Sequence, residues 1–296
     1  MKERIKALLT REPSSEIVRA EGWVRTKRDS KNVCFLEIND GSCLKGLQAV
    51  IDKASFNNNN LLDSISTGAA VSVEGTIVES LGGNQKVELA VTSLDLVGPC
   101  PNDYPLQKKR HTVEFLREQA YLRPRTNLFG AVTRVRNTMA FAVHQFFQEN
   151  GFVYVNTPLI TASDCEGAGE QFQVTTLDLN NVPRKEDGSV DYSKDFFGKL
   201  ANLTVSGQLE GETYAMAMKN IYTFGPTFRA EESNTSRHLA EFWMIEPEMA
   251  FCDLEGDMDC AESFLKYIFK AVLDKNSEDM AFCEQFVLKG LSETLE

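Results

Sequence analysis

Phe228-Arg229-Ala230-Glu231 and, after a polar loop, Arg237-His238-Leu239-Ala240-Glu241-Phe242 gather the side chains with the most chemical content in this 296-residue sequence. Read as a strand, a loop and a returning strand, they put a fixed cation, a carboxylate, a second cationic group and an aromatic ring on one hairpin. Arginine grips phosphate and carboxylate oxygens through a planar fork and stays protonated. The ring suits stacking on a base, and the carboxylate suits an exocyclic amine. Together they suit a bent nucleoside triphosphate. Residues two apart on a strand share a face, so Arg229 and Glu231 are expected to point together, as are Phe242, Met244, Glu246 and Glu248. A hairpin with one solvated face produces a similar pattern. The aromatic among charges is what sets this one apart.

The elements that must position this set are readable from spacing. Strands are expected at 202–206 and 221–231. Upstream, Leu128, Val132, Val135, Met139, Val143 and Phe146-Phe147 recur at helical intervals from Thr126 to about Asn150, and Gly151 closes that helix. Phe152-Val153-Tyr154-Val155 follows as a strand ending at Pro158, and the polar stretch 176–200 resembles an insertion. Phe264, Leu265, Ile268, Phe269, Val272 and Leu273 mark an amphipathic helix near the C-terminus.

Residues 17–97 have a different period. Cys34, Leu36 and Ile38 alternate with Phe35, Glu37 and Asn39, and Leu47, Ala49 and Ile51 repeat the alternation after Asn39-Asp40-Gly41. About five strands with a helix-like patch near Leu61-Leu62 suit a small closed barrel of the OB type. Pro99, Pro101 and Pro105, running into Lys108-Lys109-Arg110, suit a linker. The expected organisation is an N-terminal barrel over 1–98, a hinge over 99–125 and an α+β domain over 126–296.

Composition narrows the class. The sequence is 42% hydrophobic and 25% charged, as in ordinary globular proteins. No apolar run approaches the ~18 residues of a membrane span, and the charged start has no apolar signal core behind it. The seven cysteines form no CxxC pair and only three histidines are present, which argues against a disulfide framework or a zinc site. A cytoplasmic protein is expected. The net charge of −12 falls mostly beyond residue 110, so Arg25, Lys27, Arg28 and Lys31 form a local basic cluster that could meet phosphates or simply end a solvated strand. Phe35 on the outer face of its strand, with Gln48 at the same parity on the next, could stack on and hydrogen-bond a single-stranded base.

Phe228-Arg229-x-Glu231 with His238-x-x-x-Phe242 is similar to the second signature motif of the class II aminoacyl-tRNA synthetases. Gly151-Phe152-x-x-Val155-x-x-Pro158-Leu159-Ile160 resembles their first, the dimer-forming helix and strand. Glu166-Gly167-Ala168-Gly169-Glu170 and Thr204-Val205-Ser206-Gly207-Gln208-Leu209, with an OB barrel in front, resemble subclass IIb, which comprises the aspartyl, asparaginyl and lysyl enzymes. Among these, the match is greatest to the bacterial asparaginyl group. The resemblance runs from about residue 17 to the C-terminus.

The resemblance implies an antiparallel catalytic sheet flanked by helices, and ATP with Mg²⁺ as the activating pair. It makes Arg229 catalytic, bridging the α-phosphate and the amino-acid carboxylate. Glu231 and Phe242 would hold adenine, and Arg237 and His238 would lie toward the terminal phosphates. Glu166, Ser206, Gln208, Glu210, Gly211 and Glu246 would surround the amino acid, with Glu248 near the metal. In aspartyl enzymes a lysine occupies the position of Gly211 in Gln208-Leu209-Glu210-Gly211. Its absence favours asparagine, since an unpaired buried carboxylate is costly. Arg25, Arg28, Phe35 and Gln48 would read the anticodon of tRNA(Asn), and a homodimer is implied. The glycine-rich third motif has no counterpart before Glu296, so the family pattern implies a C-terminally incomplete catalytic domain, weakly active or inactive alone. An aspartyl-type enzyme, or a non-catalytic tRNA- or partner-binding fragment, remains the alternative.

Overall fold

The structure, a computed structural model, describes residues 3–82, 85–101, 103–109, 111–165, 167, 170–233, 235 and 237–295. Packing divides the chain into two units, residues 1–139 with 269–296 and residues 140–268. Among the described residues no helix is long and apolar enough to cross a membrane.

The first unit begins with a short helix, α1 (Ile5–Leu8), followed by strands β1 (Ile17–Asp29), β2 (Val33–Asn39) and β3 (Leu47–Asp52), helix α2 (Asn59–Asp63), and strands β4 (Ala70–Glu79) and β5 (Val87–Gly98). The five strands close into a barrel in the order β1-β2-β3-β5-β4. Closure depends on two long strands. β1 pairs with β4 through its first half and with β2 through its second, bending at a register shift between Val24 and Thr26. β5 runs antiparallel to β4 and parallel to β3. A second register shift falls at Glu74/Gly75, where a Cβ on Gly75 would lie 2.0 Å from the Ala90 carbonyl oxygen, so only glycine fits that bend.

The expected alternation is present. Cys34, Leu36, Ile38, Leu47, Ala49 and Ile51 all point into the core. Asn39 departs from its expected outward face and is buried. Its amide donates to the Cys43 and Lys45 carbonyls and its oxygen accepts from the Gly41 amide, so it holds the turn after β2. The patch near Leu61 is α2, capped by Asn58.

Helix α3 (Val113–Glu118) leads into the long helix α4 (Asn127–Glu149), in the place its spacing predicts. The Thr126 hydroxyl accepts from the Phe129 amide at its start, and Gly151 just beyond its end has φ +80°. Strands β6 (Val153–Tyr154), β7 (Ile160–Thr161), β8 (Gln173–Val174) and β9 (Ala201–Leu203) follow, then helix α5 (Gln208–Met218) and strands β10 (Asn220–Phe228) and β11 (Glu241–Met249). The chain ends with helices α6 (Leu254–Lys275), α7 (Ser277–Phe286) and α8 (Leu291–Leu295).

Within the second unit, β10 is the central strand of three. β11 pairs with it antiparallel and β6 parallel, and a smaller sheet has the order β7-β9-β8. One face of β10 is anchored by aromatics. Tyr222 is fully buried, its ring stacks on Phe147 at 4.7 Å, and its hydroxyl lies 2.8 Å from His144 Nδ1. On the opposite face Ile221 is buried with Val155 and Ala215, and the polar residues described below follow it along the strand.

The 176–200 stretch is tied down by Asp195. Its carboxylate accepts from the hydroxyl of Thr175 (2.6 Å), the amide and hydroxyl of Thr176 (both 2.9 Å) and the amide of Phe196 (2.7 Å). These bonds, the Thr175 hydroxyl foremost, pull the Asp195 carboxyl from 3.8 down to about 2. A lowered carboxyl contributes stability above its unfolded value and loses it as the pH falls through its folded one. The Thr176 and Phe196 amide resonances are therefore expected to titrate with a midpoint near 2, and Asp195→Asn to abolish that titration. A midpoint near 3.8 by NMR would contradict the anchor.

Candidate functional site

The register of β10 and β11 sets the residues singled out on β11 opposite Ile221, Thr223, Gly225 and Thr227 of β10. Thr223 lies opposite Glu246, Gly225 opposite Met244, Thr227 opposite Phe242, and Ile221 opposite Glu248. Because side chains alternate along each strand, these pairs share the face away from Tyr222. The two faces that sequence parity marks separately thus coincide on one surface.

Arg229 lies just past the end of β10, one residue beyond the strand. Its amide still bonds to the Ala240 carbonyl (3.0 Å), but the next amide, Ala230, turns to the Glu170 carbonyl at 2.7 Å. That switch ends the ladder. The expectation of a strand through residue 231 is therefore corrected: Glu231 lies in irregular, exposed chain, and strand parity does not relate it to Arg229. The Arg229 guanidinium carbon lies 5.5 Å from the centre of the Phe242 ring. Its Nε is buried and has no hydrogen-bond partner among the described residues. A buried donor without an acceptor is costly, and this one belongs to the guanidinium beside Phe242.

Glu246 is the most heavily bonded side chain on this face. It accepts from the Ser206 hydroxyl through Oε1, and from the Gly207 amide (3.1 Å) and Thr223 hydroxyl (2.8 Å) through Oε2. Ser206 itself accepts from the Gln208 amide at 3.0 Å, and the Thr204 hydroxyl donates to the Ser206 carbonyl at 2.5 Å. Ser206, Thr204 and Thr223 are all buried. Gly207 allows this approach, since a Cβ there would lie 2.9 Å from Thr157 Oγ1 and 3.0 Å from Thr223 Oγ1.

One turn further on, α5 lays Gly211 against the same face. A Cβ at 211 would sit 3.6 Å from Glu248 Cγ and 3.7 Å from Thr223 Cγ2. Glu210 beside it is half-buried in the first turn of α5. The Gln208 side chain runs along the helix to Glu212 (3.0 Å) instead of joining the Glu246 cluster. Arg237 and His238 lie exposed in the connecting loop, where His238 Nδ1 meets the Thr235 hydroxyl at 2.6 Å. Glu166 lies outside the described residues.

Thr223 is the residue that sequence reading missed, while Thr204 and Gly207 stand in the 204–209 segment without a role of their own. The parity of Thr223 with Gly225 and Thr227 is visible, but its link to Glu246 depends on register across the loop. Among the described residues no group of three or more His, Cys, Asp and Glu side chains could by itself hold a metal.

A second cluster lies on the barrel wall. Arg28 lies opposite Phe35, its guanidinium 5.4 Å from the ring centre, and its Nη2 donates to Gln48 Oε1 at 3.1 Å. The Gln48 amide donates in turn to Glu88 at 3.0 Å. Three of the four barrel residues singled out by sequence therefore meet. Arg25 is apart from them. Its guanidinium bonds to the Arg125 carbonyl and the Asn127 side chain, and burial pulls its pKa below the ordinary arginine value.

Two family models match the chain. Residues 18–97 match the OB-fold nucleic acid binding domain, and residues 112–293 match the class II tRNA synthetases (D, K and N). An asparagine–tRNA ligase of Synechocystis sp. is 61% identical over 96% of the chain, and one of Bacteroides fragilis 55% identical over 99%. The chain spans 62% of the length of each of these relatives. The crystal structure of asparaginyl-tRNA synthetase from Pyrococcus horikoshii complexed with asparaginyl-adenylate superposes with a TM-score of 0.79 at 24% identity, covering 95% of this chain and 60% of that one. At that identity the likeness speaks to the fold, a five-stranded OB barrel followed by a synthetase-type catalytic domain. With its closed barrel, its polar hairpin face and a family match over most of its length, the chain belongs to the class II tRNA synthetases of the aspartate, lysine and asparagine group.

Proposed function

We propose that the chain carries the adenylation and anticodon-reading parts of an asparagine–tRNA ligase, which forms asparaginyl-adenylate from ATP and asparagine and passes the asparagine to tRNA(Asn). The observation that carries this reading is the unpartnered Nε of Arg229, buried beside the Phe242 ring on a face with two carboxylates. The names of the similar relatives support asparagine as the amino acid.

In this reading residues 1–98 are the anticodon-binding part, 99–125 the connection and 126–296 the catalytic part. Arg229 is the catalytic residue. Its fork holds an α-phosphate oxygen and the amino-acid carboxylate together while charge develops on the phosphorus oxygens. Phe242 stacks on adenine, Glu231 accepts from its amine, and Arg237 and His238 in the loop reach the terminal phosphates. Ser206, Gln208, Glu210, Gly211 and Glu246, with Glu166, surround the amino acid. The reaction is an in-line displacement at the α-phosphorus, driven by positioning and needing no covalent protein intermediate. Mg²⁺ would be held by Glu248 together with the triphosphate, since this ion commonly binds through one or two carboxylates and substrate phosphates. When bound it offsets phosphate charge.

Gly211 supports the choice of amino acid. A side chain there would touch Ile221 Cδ1 at 3.4 Å and run past Glu248 and Thr223, so a lysine would bring a cation to this face. By calorimetry, the chain is expected to bind ATP with L-asparagine in preference to L-aspartate. Arg229→Lys should weaken ATP binding by about tenfold or more, and Gly211→Lys should move the preference toward L-aspartate. Equal ATP affinity in Arg229→Lys would remove the central assignment.

On the barrel, Phe35, Gln48 and Arg28 form the reading surface. Arg25 joins the anticodon contacts only if its bonds to residues 125 and 127 open. Losing one stacked base costs about 1–3 kcal/mol, so Phe35→Ala is expected to weaken tRNA(Asn) binding by about tenfold in a filter-binding titration. An unchanged affinity would exclude Phe35 from the interface.

A cytoplasmic homodimer completes the proposal. Phe141 on α4, with Val153, Tyr154, Leu159 and Ile160, stays exposed where the first motif predicts the dimer contact. Sedimentation at micromolar concentration is expected to show a dimer that Phe141→Glu weakens, and a monomer throughout would refute it.

A further inference from the structure

The bonds around Glu246 can be counted to completion. A carboxylate has about four acceptor positions, two on each oxygen. Oε2 accepts from the Gly207 amide and the Thr223 hydroxyl, which uses both of its positions. Oε1 accepts from the Ser206 hydroxyl. That hydroxyl has no second hydrogen to offer, and its oxygen already accepts from the Gln208 amide. Among the described residues, one acceptor position on Oε1 is left.

The backbone fixes which oxygen is left. Gly207 and Thr223 come from different elements, the start of α5 and the middle of β10, and both converge on Oε2. The space between them admits no side chain, because a Cβ on Gly207 would fall within 3.2 Å of Thr157 Oγ1, Thr223 Oγ1 and Glu246 Oε2. Rotation of the carboxylate would break both bonds at once. Thr223 therefore does more than fill space on its strand.

We propose that Thr223 is a positioning residue: with the Gly207 amide it pins one oxygen of Glu246 so that the other presents a single, directed acceptor to the ammonium group of the amino-acid substrate. This rests on the reading of this face as an amino-acid site. Valine at 223 keeps the branched shape and removes the donor, whereas serine keeps the donor and removes a methyl. The consequence is a class of ligand: an amino acid with a free ammonium binds, and the same molecule without its amine does not.

The test uses the full 296-residue chain with L-asparagine, succinamic acid (its deaminated counterpart) and ATP as separate probes. Wild type is expected to bind L-asparagine and not succinamic acid. Thr223→Val should lose about tenfold in L-asparagine affinity, the scale of one hydrogen bond to a charged group. Thr223→Ser should restore it, and ATP affinity should be unchanged in both. Loss of L-asparagine and ATP together in Thr223→Val would show a merely structural role and overturn the proposal, as would no loss at all. Equal binding of succinamic acid by wild type would also overturn it.

A second readout is independent of substrate. Hydrogen exchange at the Gly207 amide should quicken in Thr223→Val and not in Thr223→Ser, and equal rates in wild type and Thr223→Val would overturn the positioning role. If wild type binds no amino acid while this exchange pattern holds, the functional reading of the face fails and the pinning of Glu246 stands.

Discussion

Glu246 is a carboxylate in the middle of an antiparallel strand pair, and its surroundings explain why the hairpin has the form it does. A partly buried charge must collect donors, or the fold is penalised by several kcal/mol. Here the donors come from β10, from the residue before α5 and from the loop entering it. One requirement thus draws the 206–207 segment and β10 onto the same surface of β11. The opposite side of β10 has no such freedom, since Tyr222 is locked among Phe147, His144 and Gln148. The strand is held by an aromatic core on one face, and on the other by buried Ile221 and the hydrogen-bonded carboxylate of Glu246.

This two-sided anchoring puts the least constrained part of the hairpin at its tip. Past Phe228 the chain keeps one bond to β11 and then leaves for Glu170. Arg229 sits at that junction, stiff on its strand side and open toward the loop that holds Arg237 and His238. A group that must meet a ligand from a fixed direction is well served there. The barrel shows a parallel arrangement. Arg28, Phe35 and Gln48 project from three paired strands whose inner faces are packed with Cys34, Leu36, Leu47 and Ala49, so the half-buried ring has a packed floor.

Strand parity is a local property, which is why the shared face of Phe242, Met244, Glu246 and Glu248, and the core face of Cys34, Leu36 and Ile38, could be read from the sequence. The helix over 127–149 was legible for the same reason, with Gly151 marking its end. Register across a long loop is not local. Nothing in the sequence near Thr223 says that it faces Glu246, and nothing near Arg25 says that its guanidinium bonds to residues 125 and 127. The end of β10 was misplaced because Ala230 and Glu231 fit an extended chain well enough. Only the competing carbonyl of Glu170 takes the amide away from the ladder. Asn39 was assigned outward by alternation, but its side chain closes a turn, a demand that periodicity does not encode.

The alternation of Tyr222 and Thr223 also sets how this region can tolerate changes in chain length. A single residue added or lost within β10 would exchange the two faces. It would put a hydroxyl into the aromatic core and a ring against a carboxylate, with no local repair available. Beyond the Arg229–Ala240 bond the ladder ends, and the strand parity ends with it. The length of the strand is therefore fixed to the residue by the two faces it must keep apart.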